Sequence, residues 1–166
     1  MMSIRFLVDH AFTLPSLGMF VLCGDMLEGT VRMGMVVTAG PTHRPAFREA
    51  ITSIEFADER VGGRSWIALG FRYLHSQDGE RWREMEWAGA TLEIPAAPIL
   101  HHCPCCAFRT LPDEERGSYD ICDVCGWEDD LVQYRDPEYR GGANGESLNE
   151  ARAAFRAAHP HLTHGS

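Results

Sequence analysis

Four of the six cysteines form two pairs with the spacing of metal ligands. Cys103 and Cys106 make the first pair, Cys122 and Cys125 make the second, and fifteen residues separate the pairs. A gap of two residues lets both sulfurs of a pair turn toward one ion, and two pairs complete a tetrahedral shell. The spacing therefore predicts a zinc-ribbon site closed by four thiolates, with iron as an alternative metal for the same ligands.

The same cysteines also fit a redox dithiol, because the run Cys103-Pro104-Cys105-Cys106 contains the C-x-x-C pattern of thiol oxidoreductases. The N-terminal residues do not resemble a signal peptide, which favours a cytoplasmic protein, and thiols in that compartment are kept reduced. Disulfide bridges are therefore disfavoured. The second matching pair favours metal binding, and redox chemistry stays open as the alternative.

Cys105 is the cysteine that this ligand set leaves over. If Cys103 and Cys106 face the metal, Cys105 must point away from it. The simpler interpretation is a small side chain that packs beneath the ribbon. The sharper interpretation is a redox thiol whose pKa is lowered by the nearby metal. The sequence leaves both open.

The charge of the chain argues against nucleic acid as a general partner. The net charge is −9, and residues 101–166 hold six Arg against twelve acidic residues. Such a surface repels phosphate backbones, although a local arginine patch could still contact RNA. Lysine is absent, which excludes a phosphate-binding loop of the G-x-x-x-x-G-K type and a Schiff-base mechanism. No apolar window approaches the length of a membrane span.

Acidic and aromatic residues follow the second cysteine pair and suit a face that binds a basic protein partner. The candidate interaction face consists of Trp127, Glu128, Asp129, Asp130, Asp136, Tyr139, Arg140 and Asn144. A hydrolase that uses Glu128, Asp129 or Asp130 as acid or base is disfavoured, because a closed four-thiolate zinc leaves no position for water. The sequence therefore predicts no catalytic residue and favours a non-enzymatic protein.

A helix is expected after this segment. Ser147 and Glu150 have the spacing of a capping box, in which each side chain satisfies a backbone amide at the helix start. The helix should run to about Ala158, since His159-Pro160 cannot continue it.

The first 97 residues have a different pattern. Short apolar and β-branched runs recur between turn signals, of which residues 77–79 are one. About six or seven such runs, without a long helical period, predict a small β-barrel. Residues 82–87 are expected to pack their tryptophans across the barrel or to form an exposed hairpin. We therefore predict a β-rich protein of two parts: a barrel over residues 1–97 and a zinc-ribbon-like domain with a C-terminal helix over residues 98–166.

The strand-forming runs of the first part follow a recognisable order. They are FLVDHAFTLPSLGMFVLCGDMLEGTVRMGMVV, ITSIEF, SWIALGFR and GATLEI, within a region of roughly residues 4–95. In this order they resemble the second domain of translational GTPases such as elongation factor Tu. The resemblance implies a barrel that contacts RNA or protein beside a nucleotide-binding domain. No GTP-binding domain is recognisable here, so the barrel is expected to be a scaffold, with a translation-associated RNA or ribosome-binding module as a further alternative.

The second part also carries motifs in a specific order. The runs HCPCCAFRTL, RGSYDICDVCGWEDD and YRDPEYRGGANGESLNEAR lie within about residues 101–156. Together they resemble the cysteine-rich bacterial domain family named for its CPCC motif. Ala107 and Phe108 stand where the family pattern has glycine and an aromatic residue, so the ring is kept and the glycine is lost. The resemblance implies a small metal-binding domain and leaves its activity open.

Overall fold

The computed structural model describes residues 4–40, 46–58 and 65–162. The chain divides into two compact units, Met1–Ile99 and Leu100–Ser166. We refer to them as the N-terminal unit and the C-terminal unit. Within the described ranges, no helix is both long enough and apolar enough to cross a membrane.

Seven strands lie in the described part of the N-terminal unit. They are β1 (Ile4–Leu14), β2 (Met19–Glu28), β3 (Val36–Ala39), β4 (Phe47–Ala50), β5 (Ser53–Asp58), β6 (Ser65–Arg72) and β7 (Thr91–Ile94). Antiparallel pairing places five of them in one sheet, in the order β5-β6-β2-β1-β7. The short strands β3 and β4 pair with each other in a separate sheet.

The predicted closure of these strands into a barrel is not confirmed. Across the described ranges the five-stranded sheet is open and ends in the edge strands β5 and β7. Alternating apolar residues predict that strands exist, but the tertiary fold decides which distant edges pair. The resemblance to the barrel of translational GTPases is therefore not confirmed.

The alternation of side chains along β2 explains where the core of the N-terminal unit lies. Phe20 and Leu22 point to one face of the sheet and are fully buried in the main apolar cluster. Val21 and Cys23 point to the opposite face, where they form a smaller cluster with Ala68. Cys23 is thus a packed thiol, separate in sequence from the cysteine pairs.

An aromatic cluster fills the main core. The Phe47 ring lies 4.9 Å from Phe71, 5.1 Å from Trp82 and 5.3 Å from Trp87, measured between ring centroids. All three contacts are edge-to-face, the arrangement that the ring quadrupoles favour. Burial of these rings stabilises the junction between the two sheets.

Trp82 reaches this cluster from a helix that the sequence did not predict. Helix α1 (Ser76–Arg83) occupies the stretch where residues 77–79 indicated a turn. Trp82 and Trp87 are both buried, and the indole of Trp87 donates to the Trp82 carbonyl at 2.5 Å. The hairpin alternative for residues 82–87 is therefore wrong, because tertiary packing of Trp82 outweighs the local turn signal.

The C-terminal unit has little regular structure apart from one long helix. Its elements are β8 (His101–His102), β9 (Arg109–Leu111), α2 (Leu131–Arg135) and α3 (Leu148–Ala158). The predicted capping box is confirmed, since Ser147 Oγ accepts the Glu150 amide at 3.3 Å and Glu150 Oε2 accepts the Ser147 amide at 3.0 Å. The predicted helix end at Ala158 is also confirmed.

Phe47→Ala should lower the free energy of unfolding of the N-terminal unit by about 3–5 kcal/mol, because it leaves a cavity among packed rings. Phe56→Ala is the matched control, since Phe56 is 79% exposed while Phe47 is 1% exposed. The control should change stability by less than about 0.5 kcal/mol. Urea unfolding followed by tryptophan fluorescence measures both values, and equal effects would contradict the placement of Phe47.

Candidate metal centre

The first cysteine pair sits in a tight knuckle between β8 and β9. The Cys103 amide donates to the Phe108 carbonyl at 2.8 Å, and the Ala107 amide donates back to the Cys103 carbonyl at 2.9 Å. These two bonds close the turn around Cys103 and Cys106. Ala107 has a φ of 64°, in the left-handed region that favours glycine.

The second pair sits in a knuckle of the same design. The Cys122 amide donates to the Trp127 carbonyl at 2.9 Å, and the Gly126 amide donates to the Cys122 carbonyl at 2.8 Å. Gly126 has a φ of 74°, so it takes the position that Ala107 takes in the first knuckle. A buried aromatic follows each of these residues. The two knuckles therefore repeat one local structure, and Ala107 is the strained member, as the sequence indicated.

The four predicted ligands come together. Their four Sγ atoms all lie within 4.8 Å of one another, and they belong to Cys103, Cys106, Cys122 and Cys125. The Sγ atoms of Cys103 and Cys125 are 3.6 Å apart, as are those of Cys106 and Cys122. A tetrahedral metal with ligands at about 2.3 Å requires edges of about 3.8 Å, whereas a disulfide requires about 2.05 Å. The sulfurs therefore fit a metal ion and do not form disulfides.

The protonation of the cluster also favours a cation. Hydrogen bonds from the thiols of Cys103, Cys106 and Cys125 hold the pKa of Cys122 far below its usual range. Hydrogen bonds to the other three thiols, together with burial, raise the pKa of Cys106 far above it. Such a cluster favours a single thiolate, so a divalent cation is needed before all four sulfurs carry charge.

Thr110 is a member of this site that the sequence analysis missed. Its hydroxyl, on β9 beside the first knuckle, donates to Cys122 Sγ in the second knuckle at 3.0 Å. Hydrogen bonds to a ligand atom orient that ligand and tune its affinity for metal. No local pattern distinguishes this threonine from a surface one, because its partner is twelve residues away.

Cys105 is outside the group of four clustered sulfurs, as expected from its place between two ligands. It is half-buried and lines a surface pocket together with Cys125, the most exposed of the four candidate ligands. The thiol thus lies beside the metal centre without belonging to it. Its reactivity stays a prediction.

The structure separates the predicted interaction face into an interior and an exterior group. Trp127, Asp129 and Asp130 are buried, with exposures of 4%, 1% and 7%. These three residues cannot belong to a surface, which corrects the prediction. The half-buried and exposed members are Glu128, Asp136, Tyr139, Arg140 and Asn144.

Asp129 is buried and accepts hydrogen bonds from backbone amides that precede the second knuckle. Its Oδ2 accepts the Gly117 amide at 2.8 Å and the Ser118 amide at 3.3 Å. Arg116 lies 3.9 Å from the other carboxylate oxygen and compensates the buried charge. The side chain therefore fixes the loop that leads into Cys122.

Asp130 links α2 to the loop that follows it. Its Oδ1 caps the helix by accepting the Val132 amide at 2.7 Å and the Gln133 amide at 3.0 Å. Its Oδ2 accepts the Ala143 amide at 2.7 Å. The Ala143 amide, with the two helix amides, holds the pKa of Asp130 below its usual range despite burial. A side chain at Gly142 would meet Oδ2 at 2.5 Å, which explains the glycine there.

Gln133 and Asn144 complete a polar core that the sequence did not reveal. Gln133 is fully buried; its Nε2 donates to the Glu146 carbonyl at 2.8 Å and its Oε1 accepts the Asn144 amide at 3.0 Å. Asn144 holds the backbone of Glu128 through two bonds of 2.9 Å each. The loop of residues 143–146 is thus joined by hydrogen bonds directly to the backbone that leaves the second knuckle.

Two arginines attach α3 to the rest of the unit. Arg140 forms an ion pair with Glu150, the capping-box residue. Arg152 Nε donates to the Pro104 carbonyl at 2.9 Å, within the first knuckle. Side-chain contacts therefore hold the helix to both the loop that carries Arg140 and the first knuckle.

A family model described as Cysteine-rich CPCC matches residues 101–159. The resemblance predicted from the C-terminal motifs is thereby confirmed. We refer to residues 101–159 as the CPCC region, which contains the four-cysteine cluster, the polar core and α3. No curated protein matches the chain.

Ala107→Gly should stabilise the CPCC region by about 1 kcal/mol, because glycine adopts a positive φ without the Cβ penalty. Gly126→Ala should destabilise it by a similar amount, since an added Cβ at Gly126 meets no atom within 4 Å and the effect is purely conformational. Thermal unfolding of the metal-loaded variants measures both. Changes of the same sign in the two variants would disprove the equivalence of the knuckles.

Asp130→Ala should destabilise the CPCC region by about 2–4 kcal/mol, because it removes a helix cap and strands the Ala143 amide. Asp113→Ala is the charge-matched control, since Asp113 is exposed. It should change stability by less than about 0.5 kcal/mol. Urea unfolding of both variants with metal present gives the comparison. A loss at Asp130 no larger than at Asp113 would show that the polar core does not stabilise the region.

Proposed function

We propose that this protein is a non-enzymatic zinc protein whose four-cysteine site is structural and holds a surface for a protein partner. The observation that carries the proposal is the convergence of four cysteine sulfurs within 4.8 Å. Four thiolates complete the tetrahedral shell that Zn²⁺ prefers and leave no open position for a substrate. Zinc bound in this way contributes on the order of 10 kcal/mol to folding.

The arrangement of carboxylates supports a structural role over hydrolysis. Asp129 and Asp130 accept backbone hydrogen bonds and are buried, so neither is placed to exchange a proton with a substrate. Glu128 alone remains of the three acids that a hydrolase could use. A single carboxylate beside a closed metal shell provides no acid–base pair.

A redox function is the second candidate, and one observation favours it. Cys105 and Cys125 are both partly exposed and line the same pocket, so an oxidant could reach them. The convergence of all four paired cysteines still favours metal binding, since a reactive dithiol does not need the second pair. The RNA-binding alternative receives no support from the charge of the C-terminal unit.

Metal analysis and chelation test the structural role. The purified chain should contain one zinc per molecule and be colourless, whereas iron in a tetrathiolate site would make it red. A strong chelator should unfold the C-terminal unit and leave the transition of the N-terminal unit in place, because only the former depends on the ion. Separate unfolding transitions, followed by circular dichroism and heat capacity, report the two units.

Cys103→Ser and Cys23→Ser supply the matched pair of variants. Cys103→Ser should lose zinc and the transition of the C-terminal unit, while Cys23→Ser should retain both, since Cys23 packs in the N-terminal unit. Rapid reaction of the paired thiols in the untreated protein would instead support the redox candidate. Full folding of the C-terminal unit without metal would reject a structural site.

A further inference from the structure

A pocket of about 400 Å³ opens on the C-terminal unit. One wall comes from the second knuckle, with Cys125 and Trp127. The loop of residues 143–146 forms another wall, and α3 contributes Ala154 and Phe155. The pocket therefore lies where the metal centre, the polar core and the helix come together.

The walls of the pocket combine apolar and acidic side chains. Phe155 and Ala154 present apolar surface from α3, and Ile121, which is 63% exposed, extends it. Glu128 and Glu146 also line the pocket and bring two carboxylates to it. A ligand that fills the pocket must therefore offer both an apolar surface and positive charge.

The two carboxylates lack a cation from within the protein. Across the described ranges, neither Glu128 nor Glu146 forms an ion pair. The nearby arginines make other contacts: Arg140 pairs with Glu150, and on α3 Arg152 donates to the Pro104 carbonyl and Arg156 to the Arg152 carbonyl. A ligand that carries positive charge would complement these two carboxylates, in a unit where acidic residues outnumber arginines two to one.

Trp127 adds an independent sign of a ligand. The residue lines the pocket and is 4% exposed, yet its indole Nε1 is buried without a hydrogen-bond partner in the described part of the chain. A buried donor without an acceptor is costly, and native proteins rarely keep one without a purpose. Peptide carbonyl groups are suitable acceptors for this donor, whereas a lone metal cation is not.

We propose that this pocket binds a basic segment of a protein partner, with an arginine or lysine between Glu128 and Glu146 and an apolar neighbour against Phe155. The inference rests on the proposed function, because the metal fixes the knuckle that carries Cys125 and Trp127. It goes further by assigning the partner's chemistry and its site. Binding should weaken with salt, since part of it is a Coulomb attraction at the protein surface.

The test titrates zinc-loaded, ¹⁵N-labelled full-length protein with the capped pentapeptide GLRLG, and compares it with GLQLG and GLELG. Amide shifts of Gly126, Ala143 and Gly145, which lie around the pocket, should follow GLRLG and be weaker with GLQLG and absent with GLELG. No shift at these amides, or equal binding of all three peptides, would overturn the proposal.

Two charge-matched double variants separate the pocket from the general negative charge. Glu128→Gln with Glu146→Gln should weaken GLRLG binding about tenfold. Asp113→Asn with Glu114→Gln removes the same charge from exposed positions of another loop and should change binding less than about twofold. An equal loss in both would assign the attraction to net charge and reject the pocket. Trp127→Phe removes the indole N–H, keeps an aromatic side chain and should weaken binding.

Zinc content measured on the same samples keeps the two proposals distinct. With one zinc per chain and no response of the pocket amides, this inference fails while the structural metal site stands. Without stoichiometric zinc the proposed function fails, and the titration of that protein still reports whether the pocket binds GLRLG.

Discussion

The C-terminal unit is governed by a single electrostatic constraint, the crowding of four ionisable sulfurs into one small volume. Thiolates this close together repel one another, because all four Sγ atoms lie within 4.8 Å. Under the function proposed above, a divalent cation removes this repulsion, and the free energy of ligation contributes to folding. The local backbone follows from this arrangement. Each knuckle turns its two sulfurs inward by means of a left-handed residue, Ala107 in the first and Gly126 in the second.

Around the sulfur cluster, side-chain hydrogen bonds hold the loops in place, whereas in the N-terminal unit apolar packing holds the sheets in place. There, interlocked aromatic rings fix the sheets. In the CPCC region, buried Asp129, Asp130 and Gln133 instead satisfy loop amides and carbonyls one by one. Such a network is stable only when every member is present, because each lost partner leaves a buried group without a hydrogen bond. Asp129 and Asp130, which the sequence placed on an acidic surface, are thus buried residues that hold the loops together.

Prediction from sequence succeeded where the rule is local. The spacing within each cysteine pair predicted the cluster of Cys103, Cys106, Cys122 and Cys125. The capping box predicted the start of α3. Each of these signals lies within four residues of sequence. The burial of Asp130 and Gln133 depends on backbone groups 13 residues away, the Ala143 amide and the Glu146 carbonyl, so no local pattern revealed it. Barrel closure was not confirmed for the same reason, since strand alternation does not determine how distant edges pair.

The hydrogen bond from Arg152 to the Pro104 carbonyl joins residues 48 positions apart, which is most of the CPCC region. The bond therefore holds the first knuckle next to α3 and closes a loop that contains the residues between them. A fragment that keeps this bond must include both the first knuckle and the part of α3 that carries Arg152. A gene fusion or natural shuffling event that divides the chain inside this loop would separate the helix from the ligands it steadies, whereas a join near Leu100 would respect the boundary.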